Sequence, residues 1–181
     1  MGLPWEPMSS RCFESVAYAQ VVGLCTFWRE FDRSVTCLPE NIEMHREIKI
    51  PGDIDSIPGA RRELMEFLEQ QGCPEGSAFE VGMAVQEALA NAILHGCNSN
   101  PALHVTMELL SGPSGVFITI QDPGPGFDLS QILDLSSEEG STSSNGRGIH
   151  MMKAYMDDVT FAQQGREVRM RKNWASRGDT Q

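Results

Sequence analysis

Basic residues are scarce in this chain: 14 Lys and Arg stand against 25 Asp and Glu, for a net charge of -11 over 181 residues. A nucleic-acid surface needs a basic patch, so that class of partner is set aside. Metal-ligand spacings are missing as well, since 4 His and 5 Cys occur with nothing at CxxC, HxxxH or HExxH spacing. There is no GxGxxG followed by a helix and a ribose-binding acid, which removes the dinucleotide fingerprint. The apolar run 16–28 is too short to span a bilayer, and its bulky Thr26, Phe27 and Trp28 offer no small-residue cleavage site. Cys73 and Cys97 have no paired spacing and read as free thiols of a reducing, cytoplasmic compartment.

What is present begins with residues 87–96, EALANAILHG. Glu87, Asn91 and His95 recur at four-residue steps and share one stripe of a helix. Val81, Val85, Ala88 and Ala92 form another face, and Leu89, Ile93 and Leu94 fill most of the rest, so the helix is expected to be buried nearly all round. A buried carboxylate and amide need partners, either protein groups or a hydrated metal and a phosphate. His95, near the helix end, reads as a hydrogen-bonded residue rather than a nucleophile. Two glycine segments follow. Asp122-Pro-Gly124-Pro-Gly126 comes directly after the alternating run 116–121, as a tight turn closing a strand. Asn145-Gly146-Arg147-Gly148-Ile149 opens a helical run with Ile149, Met152 and Met156 on one side, after a Ser-rich stretch at 136–144. Glycines allow close backbone approach, and a helix N-terminus presents free N–H groups to phosphate.

Periodicity lays out the rest. A strand is expected at 46–50 and a helix at 55–71 with Leu64, Phe67 and Leu68 inward. The motif helix is expected over 77–96, Ser77 and Glu80 forming a capping box. Strands at 104–110 and 116–121 flank a hairpin turn, and 158–162 and 167–171 make a closing hairpin around 163–166. This predicts an α+β two-layer sandwich, with a mixed, mostly antiparallel sheet of four or five strands and helices on one face. One domain is expected over 44–172, with a polar tail at 173–181. Residues 1–43 hold 3 of the 5 Cys and 2 of the 3 Trp and do not fit this plan. They are either an N-terminal extension or a product of a start assigned upstream of Met44.

Taken in order, ExxxN on a helix, two strands, DxGxG, a Ser-rich loop and GxG opening a helix resemble a known domain. It is the ATP-binding domain shared by gyrase, the heat-shock chaperone, histidine kinases and mismatch-repair ATPases, the Bergerat fold. Within it the chain is most similar to the bacterial anti-sigma-factor serine kinases, over about residues 44–172. The resemblance implies ATP and Mg²⁺ as cofactors. Asn91 is then the magnesium ligand, an amide oxygen being a hard donor to an ion that keeps water and phosphate around it. Asp122 accepts from the exocyclic amino group of adenine. Gly124 and Gly126 make room for the base and the lid hinge, and Gly146 and Gly148 bring backbone amides to the β and γ phosphates. Arg147 touches the γ phosphate, with Lys153 as its competitor. Glu87, one turn from the metal ligand, is the catalytic carboxylate that accepts or orients the proton of an attacking serine hydroxyl. The implied substrate is an anti-anti-sigma (STAS-domain) protein and the implied second partner a sigma factor, with no contact to nucleic acid or membrane, and members are often homodimers. Three alternatives to this kinase stand beside it: a histidine-kinase catalytic domain, a free-standing ATPase, and an ATP-binding interaction module without transfer.

Overall fold

Alternation of apolar and polar residues settles which face of each strand is covered. In the computed structural model, which describes residues 42–112, 115–126 and 144–174 (backbone only for 144–146), five strands form one sheet. They are β1 (Met44–Pro51), β2 (His104–Gly112), β3 (Gly115–Gln121), β4 (Asp158–Ala162) and β5 (Glu167–Asn173). The order is β1-β2-β3-β5-β4, and every pairing is antiparallel rather than mixed. Three helices cover it: α1 (Ile57–Gln70), α2 (Glu75–Asn91) and α3 (Ser144–Tyr155). The N-terminal segment 1–41, most of the Ser-rich lid (127–143) and the tail beyond Trp174 lie outside the described residues.

Register places Ile48 against Met107, Met107 against Ile120, and Ile120 against Val168, so one inward row crosses four strands. All four are buried. Side-chain contacts show that this is the helix-covered face. The Arg46 guanidinium sits 5.5 Å from the centre of the Phe67 ring on α1, and Ser111 Oγ donates to Gln71 Oε1 at 2.8 Å, just past the end of α1. Lys172 Nζ reaches Glu80 Oε2 on α2 at 2.6 Å. On α1, Ile57, Ala60, Leu64, Phe67 and Leu68 are buried at helical spacing. Burying a side chain of that size contributes roughly 1.5–3 kcal/mol each before the entropy of ordering is counted.

Several boundaries differ from expectation. The helix foreseen from residue 55 starts at Ile57, behind a 3-10 turn (Ile54–Ser56) capped by Asp53, whose carboxylate accepts from the Asp55 N–H at 3.1 Å. The capping box at Ser77 does not form. Helix α2 begins two residues earlier, after an extended Pro74 (φ -60, ψ 144) whose carbonyl already accepts the Ala78 N–H at 2.8 Å. Ser77 is thus inside the helix, and the Glu80 carboxylate is engaged by Lys172 instead of turning back. From Val81 to Ile93 no residue is exposed, as expected of a helix buried nearly all round. After Asn91 the helix widens into a π turn (Ala92–Gly96), with Cys97 N donating to Ala92 O at 2.9 Å. That extra residue per turn rotates Leu94 and His95 outward, so both are exposed and the four-residue stripe ends at Asn91. Helix α3 also starts upstream, so the glycine motif lies in its first two turns rather than ahead of them.

Candidate functional site

Helix α2 is buried on most of its surface, and its half-buried side carries Glu87 and Asn91 one turn apart. That side faces α3 at Gly148. A Cβ placed on Gly148 would lie 3.0 Å from Glu87 Oε2 and 3.5 Å from Asn91 Nδ2, so the polar pair packs closely against the bare backbone at this point. Hence the ExxxN and GxG segments, some 55 residues apart in sequence, meet in space. Among the described residues neither the Glu87 carboxylate nor the Asn91 amide has a hydrogen-bond partner. A half-buried polar pair with no partner among the described residues suits a polar ligand.

The second half of the site lies five residues beyond Asn91, at the end of the π turn. There Gly96 is buried against Asp122, whose carboxyl group occupies the space a Cβ on Gly96 would need. Gly124 is equally constrained: its Cβ would fall 2.6 Å from both Cα and O of Gly96. Asp122 is fixed by its backbone and its side chain together. Its N–H donates to Arg166 O at 2.9 Å, and its Oδ1 accepts the Gly124 N–H at 2.8 Å. Gly126 adopts φ +78, and a Cβ there would strike Gln164 O, so only glycine fits.

Burial pushes the Asp122 carboxyl above its ordinary range, while the Gly124 N–H and the charge of Arg166 pull it back. Cys97, behind it, is buried, and both that burial and the neighbouring Asp122 raise its thiol. Burial lifts Cys73 to about 11, against the opposing charge of Lys172. Both thiols are therefore protonated and unreactive at neutral pH.

Of the residues singled out by sequence, Glu87, Asn91 and Gly148 converge at one point, and Asp122, Gly124 and Gly126 at another. Gly146 and Arg147 occupy the first turn of α3, where backbone N–H groups lack acceptors within the helix. Arg147 is exposed. Lys153 sits in the last turn of α3, about 9 Å further along the axis. It is thus remote from that N-terminus. Three residues escaped sequence reasoning as parts of the site: Gly96, Gln164 and Arg166. The His-Gly ending of the helix motif was a usable signal for Gly96, whereas nothing local marks the other two.

A magnesium ion and a nucleoside triphosphate fit this donor set. Asn91 could offer one hard oxygen, and among the described residues no group of three or more His, Cys, Asp or Glu forms a metal cage. A site with a single protein ligand is what Mg²⁺ accepts when phosphates and water complete its shell. Among the described residues no helix is long and apolar enough to cross a membrane.

Comparison with known proteins identifies the family of the domain. Residues 50–172 match the histidine kinase-like ATPase domain. The chain is 30% identical over 140 residues to the anti-sigma F factor of Bacillus velezensis, covering 72% of this chain and 92% of that one. Similarity to the serine-protein kinase RsbW of Oceanobacillus iheyensis is 28% over 124 residues, covering 65% and 78%. Among solved structures, the RsbU and RsbW domains of a Mycobacterium tuberculosis protein superpose with a TM-score of 0.51 at 16% identity. That match covers 74% of this chain and 32% of the other, and it supports the fold.

Proposed function

This chain belongs to the histidine kinase-like ATPase family, on its anti-sigma-factor branch, and we propose that it is an ATP-dependent serine/threonine kinase. In this reading it phosphorylates an anti-anti-sigma (STAS-domain) protein and sequesters a sigma factor. It works in the cytoplasm as a homodimer. The observation that carries the proposal is Glu87 beside Asn91, both against the bare backbone of Gly148. A nucleotide binder needs the amide; transfer of the γ phosphoryl group to an O–H nucleophile, a serine hydroxyl or water, draws on the carboxylate as well.

The chemistry follows from what each group is able to do. Asp122, ionised and held by the Gly124 N–H, accepts from the amino group of adenine. The first turn of α3, with Gly146 and Arg147, faces the terminal phosphates with N–H groups and one guanidinium. Asn91 would hold Mg²⁺, which when bound neutralises charge on the phosphates. Glu87 orients the serine hydroxyl of the partner and takes its proton as the Oγ–P bond forms and the bond from the γ phosphorus to ADP breaks. Phosphoryl transfer depends mainly on position and charge, so an ordinary carboxylate suffices.

Incubation with labelled ATP and candidate STAS proteins tests this. Label is expected on a partner serine or threonine, and Glu87→Ala should slow its appearance by about 10²- to 10⁴-fold while ADP still binds. Asn91→Ala should lose transfer together with magnesium-dependent binding. Nucleotide binding with no label on any partner would instead favour a module that binds without transferring.

A further inference from the structure

Around the Asp122 carboxyl, the titratable or charged groups among the described residues come from two elements. Cys97, from the end of the helical segment, is a buried thiol kept neutral by that burial and by Asp122 itself. Arg166, from the turn between β4 and β5, is the cation. This turn is tied to the site at several points. Arg166 O accepts from the Asp122 N–H at 2.9 Å, and Gln164 O presses on Gly126, where a Cβ would also meet Arg166 Cγ at 3.1 Å. The Arg166 side chain is steadied in turn, because its Nε donates to Gln163 O at 3.0 Å.

Gln163 has anchors of its own. Gln121 Nε2 donates to its Oε1 at 3.0 Å, and its Nε2 donates to Glu167 Oε2 at 2.6 Å. Glu167 is fully buried and also bonded by Arg169. Three consecutive residues here, Gln163, Gln164 and Gly165, have φ of 50, 58 and 84. Two adjacent non-glycine residues in the left-handed region are unfavourable and persist where the surroundings fix them.

We propose that Arg166 is a positioning residue of the nucleotide site: the strained β4–β5 turn, tied to Asp122 through the Arg166 carbonyl, holds Arg166 beside that carboxylate so that it serves as an acceptor for the amino group of the base. This rests on the nucleotide-binding reading above. Among the described residues the two side chains form no direct ion pair, so the charge acts across a gap while the backbone bond fixes the spacing. Burial favours the protonated carboxyl, and a protonated Asp122 sets a donor against the donor of the base.

The test is calorimetry of Mg-ADP binding to the full chain across the carboxyl range, roughly pH 4 to 7. The phosphates of ADP titrate alike in every variant, so differences between variants isolate the protein. Arg166→Met should move the pH of half-maximal affinity upward by roughly half a unit or more. The affinities should converge toward the alkaline end, and Arg166→Lys should restore the parent profile. Arg166→Gln is a second neutral variant with the same expected shift, should the methionine variant not fold. Superimposable profiles, or a loss of affinity equal at every pH, overturn the role of Arg166. Failure of the unsubstituted chain to bind Mg-ADP overturns the nucleotide reading itself.

Discussion

Adding one methyl group at Gly148 brings a carbon to 3.0 Å from Glu87 Oε2, tighter than ordinary contact. The far end of a flexible carboxylate can give way by a few tenths of an ångström, so Gly148→Ala should change stability by less than about 1 kcal/mol. Displacement of a positioned group is felt in rate, and phosphoryl transfer should fall about tenfold with the urea midpoint little changed. Undiminished transfer would show that Glu87 needs no fixed place. Asp122 carries a different tension. Burial raises its folded-state value above the ordinary 3.8, so the folded chain keeps that proton to higher pH than the unfolded chain does. Stability from this group therefore falls as pH rises between the two values, and above both the ionised carboxylate opposes folding. Asp122→Asn retains an acceptor for the Gly124 N–H and removes the charge. At neutral pH it should unfold at higher urea than the parent, with the gap closing as pH drops through the carboxyl range, and ADP binding should be lost. A lower midpoint at neutral pH would mean that the ionised form supports the fold.

At the scale of elements, the β4–β5 turn is one of two places among the described residues where adjacent non-glycine residues take a left-handed φ, the other being Asn98 and Ser99. Gln164 is exposed, its φ is 58, and no hydrogen bond involves its side chain among the described residues. Gln164→Gly relieves a left-handed conformation costing about 1–2 kcal/mol and adds back part of that as unfolded-chain entropy. A net gain of roughly 0.5 kcal/mol in urea unfolding is expected, and a loss would locate the strain elsewhere. This turn also shows where sequence reasoning stops. The hairpin around 163–166 was legible, because alternation in 158–162 and 167–171 brackets a Gly-bearing gap. Its pressure on Gly126 was not, since that contact joins residues 38 apart and leaves no local pattern. The same division holds for α2. The apolar periodicity from Val81 to Ile93 announced a buried helix, and the Glu87–Asn91 step announced its polar side. The failure of the capping box was not legible, since Glu80 is engaged by Lys172, a contact across 92 residues. The π turn, which shapes the seat of Asp122, substitutes one hydrogen-bond spacing for another within an unremarkable AILHG.

For the whole molecule, one helix links the two halves of the site, with Glu87 and Asn91 on its last turns and Gly96 at its end against Asp122. A ligand that spans both halves bears on the element on which much of the core converges, so its binding energy should appear as global stability. At a concentration of one hundred times Kd, such a ligand stabilises the native state by about 2.7 kcal/mol. For a chain of this size that shifts the melting temperature by roughly 5–10 °C. Charge decides whether the metal is required. The chain has a net charge of -11, and a bare nucleotide adds more negative charge to it, whereas the magnesium complex adds less. Thermal melts with ADP should therefore show the full shift with Mg²⁺ and a much smaller one with excess chelator. Part of the chelator loss should return at high salt, where repulsion over the whole surface is screened. Asn91→Ala should abolish the difference between the two conditions and leave only the small, salt-sensitive shift. If the chelator has no effect on the parent chain, Asn91 is not a metal ligand, and the pair on α2 serves the nucleotide through hydrogen bonds alone.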